Sequence, residues 1–165
     1  MKTAHLVMMM LLCCPIHSIA EEINMMDKFE FLLGMWHLKY NVPQSSHSEA
    51  TTGTGTGTFK RALDDKYIWF DYESLIDGQT GQAHAVLVWD EKEKIYRYWW
   101  FESSGSYRQA TCNFLDENTL FLNWHDTLLI QTFKKIDDNT VVLHMKYPNV
   151  NDGFDLILEV VMTRQ

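Results

Sequence analysis

Met35-Trp36-His37-Leu38-Lys39-Tyr40-Asn41-Val42 puts Trp36, Leu38, Tyr40 and Val42 on one side of an extended chain and His37, Lys39 and Asn41 on the other. A period of two with one apolar face is the pattern of a half-buried strand. Far along the chain Phe154, Leu156, Leu158, Val160 and Met162 repeat it, with Asp155, Glu159 and Thr163 opposite. Between these two, strands are expected near 49–62, 66–76, 82–90, 94–102, 106–114, 118–124, 127–136 and 139–147. Turn residues such as Asp64-Asp65, Asp77-Gly78, Ser104-Gly105 and Asn151 to Gly153 punctuate them. Only Asp27 to Leu33 reads as helix, with Phe29, Leu32 and Leu33 at helical spacing, Asp27 as N-cap and Gly34 as its stop.

Every connection is of hairpin length, which excludes parallel pairing through crossover helices. Ten strands laid flat would leave two open edges, and closure removes both. The expected fold is therefore all-β: a closed antiparallel up-and-down barrel of about ten strands, with one short helix before the first. A barrel of that strand number can enclose more space than its side chains fill.

The first twenty residues stand apart from this pattern. Lys2 precedes an apolar run from Leu6 to Cys14, Pro15 ends the run, and Ser18 and Ala20 put small residues before a cleavage point. The run is far shorter than the roughly twenty residues a membrane-spanning helix needs. Residues 1–20 are thus expected to be a signal peptide and 21–165 a single exported domain, periplasmic or secreted. Cys13 and Cys14 also raise a lipoprotein, but Leu12 is a poor residue to precede a lipidated cysteine. Cleavage would leave Cys112 without a partner, so the domain must be held by its core and not by a disulfide. The formal charge of −8 and the lack of a basic cluster argue against nucleic acid and anionic membrane surfaces as partners.

Phe31-Leu32-Leu33-Gly34-Met35-Trp36 followed by an alternating strand, with Thr163-Arg164 near the end, resembles the calycin barrels: lipocalins, fatty-acid-binding proteins and nitrobindins. The stretches Thr54 to Leu63, Ala85 to Asp90 with Tyr96 and Trp100, and Val161 to Arg164 are more specifically similar to a bacterial family of unknown function with such a barrel. The resemblance implies that Gly34, Trp36 and Arg164 form a structural signature, the guanidinium covering the indole. It implies no single activity. Nitrobindin-like barrels hold haem through a histidine on a late strand, where His144 stands. Val141, Leu143, Met145 and Tyr147 look like that strand's core face, however, which puts His144 outside. No cofactor and no metal site is expected, since the histidines lack ligand spacing.

The richest segment is Ile95-Tyr96-Arg97-Tyr98-Trp99-Trp100-Phe101. An aromatic core alone would explain it, but Tyr96, Tyr98 and Trp100 on one face would also line a cavity for an aromatic or long apolar ligand. Tyr40, Tyr72 and His84 are further cavity candidates, and Arg108 on the next strand is either a counter-charge for a carboxylate or a surface residue. Thr54-Gly55-Thr56-Gly57 lacks the helix and lysine of a phosphate loop. Its glycines instead permit a bend, or let Trp36 or a ligand lie against bare backbone. Asp71 and Glu73 share a face, solvated by default; buried, they would hint at acid–base work. The reading is a barrel that binds a small apolar or aromatic molecule. The alternatives are an interaction module with a filled core and an enzyme with polar residues in the cavity. An outward Tyr96/Tyr98/Trp100 face without a cavity above about 300 Å³ would remove the binding reading.

Overall fold

The structure is a computed structural model and describes residues 24–165. The proposed signal peptide, with Cys13 and Cys14, lies outside the described residues. Ten antiparallel strands close into one barrel: β1 (Gly34–Val42), β2 (Thr51–Ala62), β3 (Tyr67–Ile76), β4 (Gln79–Asp90), β5 (Ile95–Glu102), β6 (Tyr107–Asp116), β7 (Thr119–Trp124), β8 (Ile130–Asp137), β9 (Thr140–Pro148) and β10 (Phe154–Arg164). Each pairs with its neighbours in sequence, and β1 closes the ring against β10 with Trp36 opposite Arg164. This is the expected all-β, closed, up-and-down barrel. No helix among the described residues is long and apolar enough to cross a membrane.

Some details depart from the sequence reading, and β8 begins at Ile130, three residues later than expected. β4 begins at Gln79, three residues sooner than expected, because Asp77 and Gly78, both at positive φ, turn the chain within two residues. In β10 a register shift between Leu156 and Leu158 inserts an extra residue. The slip reverses the side-chain phase, so Phe154 is half exposed and Leu156 pairs with exposed Lys146, while Leu158, Val160 and Met162 keep the core face.

The helix is a 3-10 helix, Met25–Leu32, capped by Asn24, whose side chain accepts from the Met26 N–H at 3.0 Å. The expected cap Asp27 instead sits in the first turn, where its carboxylate, with that of Glu30, binds Arg61. Three residues per turn explain the burial: Met26, Phe29 and Leu32 recur every third position and face the barrel. Phe29 meets Tyr96 and Phe114 edge to face, with ring centroids 4.9 and 5.2 Å apart. The helix is a plug over one end.

Trp36 and Arg164 fasten that plug. The Trp36 Nε1–H donates to Leu32 O at 2.7 Å, and the Arg164 guanidinium lies 4.4 Å from the indole centroid. The same guanidinium donates to the carbonyls of Leu33, Phe31 and Asp138. Gly34 has a φ of +114°, and a Cβ there would stand 2.7 Å from Arg164 Nη1. Only glycine combines that backbone conformation with room for the arginine.

Candidate functional site

The end opposite the plug is open, ringed by the connections 43–50, 77–78, 103–106, 125–129 and 149–153. From it a cavity of about 240 Å³ runs into the barrel. Its walls follow from strand phase. β1 contributes Leu38 and Tyr40; β3 contributes Phe70 and Tyr72; β5 contributes Tyr98 and Trp100. Trp124 of β7, Gln131 and Phe133 of β8, Met145 of β9 and Leu158 of β10 complete the wall. Glu102 and Arg108 lie at the mouth. The volume is below the 300 Å³ set as a divide, because the rings of Phe70, Trp124 and Phe133 project into the lumen. An apolar cavity of about 150 Å³ nonetheless accepts benzene. The space here suits a molecule of one ring or two fused rings.

Of the seven candidates, Tyr40, Tyr72, Tyr98, Trp100 and Arg108 line this one cavity. Two do not. Tyr96 points inward but belongs to the plug end, where its hydroxyl donates to Met25 O at 2.8 Å and its ring packs on Phe29. Strand alternation sorts residues by face and says nothing of height along the barrel axis. His84 points outward, with Nδ1 2.7 Å from Asp71 Oδ1, while Lys60 Nζ holds the other carboxylate oxygen at 2.8 Å. The Lys60 hydrogen bond is the largest effect and, with a lesser one from His84, keeps the Asp71 carboxyl below its ordinary range despite burial, which pushes the other way. Glu73 is likewise outside, hydrogen-bonded by Gln82 at 3.1 Å. His144 also faces out, 3.0 Å from Glu159. Cys112 is free and buried, its thiol made a weaker acid by burial.

The stripe of glycines in β2 makes room for aromatic side chains. A Cβ at Gly57 would stand 2.6 Å from the Phe70 ring, and one at Gly55 would stand 3.2 Å from the Tyr40 ring and 2.3 Å from Glu73 O. Bare backbone therefore seats the rings of Tyr40 and Phe70. These two rings form the cavity wall on that side.

Trp124 and Gln131 were not among the sequence candidates. Gln131 is the one buried polar side chain of its class among the described residues, 2% exposed, and its Oε1 accepts from Trp124 Nε1 at 3.2 Å. The legible signal was a glutamine in phase with Phe133. Tyr40 is also 2% exposed, yet its hydroxyl has no hydrogen-bond partner of ordinary geometry. Burial first, and the nearby Tyr72 phenol second, push its pKa far up. Burial does the same to Tyr98, with Cys112 and Tyr72 adding to it.

No family model matches this chain, and no curated protein matches it. Solved structures do. Rv2717c from M. tuberculosis is similar at a TM-score of 0.58 and 13% identity, over 85% of this chain and 96% of that one. The S-type phycobiliprotein lyase CPES from Guillardia theta is similar at a TM-score of 0.54 and 11% identity, over 87% and 94%. At these identities the shared property is the fold.

Proposed function

We propose that the protein is an exported member of a bacterial calycin-like family that holds one small apolar or aromatic molecule in its barrel. The observation that carries this reading is the cavity of about 240 Å³, walled by aromatic and aliphatic side chains and open at one end. An apolar concavity with a few placed polar groups is the usual form of a small-molecule site. A filled-core interaction module has no use for such a void, since each missing contact weakens the core. Catalysis by an interior acid or base fits less well, because the ionisable side chains lining the depth of the cavity are phenols, and burial makes those of Tyr40 and Tyr98 still weaker acids. Export rests on the pattern of residues 1–20 alone.

Native mass spectrometry of the protein purified from its own host without stripping tests both parts. Retention of a small-molecule adduct supports the barrel as a carrier, and its mass narrows the ligand. An intact mass beginning at Glu21 supports export. A clean protein mass together with no uptake of small aromatic probes overturns the binding reading. A Soret absorption in the same sample would replace it with haem binding.

A further inference from the structure

We infer that the ligand of this cavity, provided the cavity is a ligand site at all, carries an uncharged hydrogen-bond acceptor, a ketone or ester carbonyl, received by the hydroxyls of Tyr40, Tyr72 and Tyr98. Buried hydroxyls in folded proteins are nearly always paired. Tyr40 has no partner of ordinary geometry, only the nearby Tyr72 phenol, although bare backbone at Gly55 makes room for its ring. Its ring meets Tyr72 edge to face at 6.2 Å, and Tyr72 in turn meets Trp100 at 5.2 Å, with Tyr98 stacked on Trp100 at 6.4 Å. These contacts put the three phenol rings along one wall of the cavity, grouped around Trp100. The shifts of Tyr40 and Tyr98 run upward, which keeps both as O–H donors throughout the physiological range.

The charge of the acceptor follows from what is missing at depth. Arg108 is the one cationic side chain lining the cavity among the described residues, and it stands at the mouth, where Glu102 already feels its charge. A carboxylate drawn down to the tyrosines would lose its hydration without meeting a counter-ion. A pure hydrocarbon would leave the hydroxyl unpaired. A neutral carbonyl satisfies the donor and carries no charge to desolvate. An ordered water is the rival occupant of the polar corner.

The test uses three probes of nearly one shape: acetophenone, its alkene isostere α-methylstyrene, and benzoate. Dissociation constants come from NMR titration of the Met145 and Leu158 methyl signals, in the full chain and in Tyr40→Phe and Tyr98→Phe, with thermal unfolding confirming that each variant folds. The ketone is expected to lose about ten-fold in affinity relative to the alkene in at least one variant. Benzoate is expected to bind more weakly than acetophenone in the unmodified protein. If ketone and alkene both bind but their ratio is the same in all three proteins, the cavity remains a ligand site and the carbonyl inference falls, with water as the occupant. If benzoate binds most tightly, the acceptor is anionic and the inference also falls. If no probe binds, the reading of the cavity as a ligand site falls with it.

Discussion

The plugged end and the open end are built from the same residue types and differ in what becomes of one buried tyrosine hydroxyl. At the plug, Trp36, Tyr96 and Arg164 each have an indole, hydroxyl or guanidinium donor committed to a backbone carbonyl of the helix or of a neighbouring turn. In the cavity Tyr40 has none. The difference teaches that aromatic content alone does not mark a binding site. What marks one is a buried donor whose partner is absent from the protein, and pairing within the fold is what makes the plug structural.

The comparison can be broken most directly at Trp36. Trp36→Ala should destabilise the barrel by about 4 kcal/mol in urea unfolding, whereas Leu158→Ala on the cavity wall should lie near the low end of the range for buried leucine, about 2 kcal/mol. Equal losses would mean that the two ends are packed alike. Arg164→Met keeps the stem over the indole but removes the donors to three carbonyls, and a loss of about 2 kcal/mol is expected. Tyr40→Phe should act in the opposite direction, raising stability by about 1 kcal/mol, because the lone hydroxyl is a burden without its ligand. A loss instead would show that the hydroxyl is paired in solution.

The smallest effect lies outside the barrel, at Asp71. Its folded pKa is lowered, first by Lys60 and then by His84, so its contribution to stability is present above the carboxyl's ordinary pKa and is lost as pH falls through the lower folded value. The side chain is 49% exposed, so solvent screening holds the contribution to a few tenths of a kcal/mol at most. Lys60→Met should therefore flatten stability slightly across acidic pH and leave neutral behaviour nearly unchanged. A large change at neutral pH would contradict the screened, outward position of the pair.

Residue pattern carried much of this molecule. The alternation in Trp36 to Val42 and the short polar turns between strands suffice for an antiparallel closed barrel, because side-chain direction in a strand depends only on parity. The same parity put Tyr40, Tyr72, Tyr98 and Trp100 inside and His144 outside. It misled wherever parity was interrupted or insufficient. The β10 bulge carried Phe154 and Leu156 off the core face, an event that one extra residue in a pairing causes and that no local pattern announces. His84 follows Gln82 outward, and its companion Asp71 lies on another strand, so their pairing depends on register.

The sequence by itself determined the strands, their hairpin order and the aromatic character of the interior, since these depend on neighbours a few residues apart. Only the tertiary structure decided which inward rings belong to the plug and which to the cavity. Tyr96 and Tyr98 are two residues apart on one face of β5, yet one is fastened to Met25 and the other lines open space. Height along a closed barrel depends on where a helix seated by Trp36 and Arg164 comes to rest. That position is set by contacts such as Arg164 with Phe31, separated by more than a hundred residues of chain.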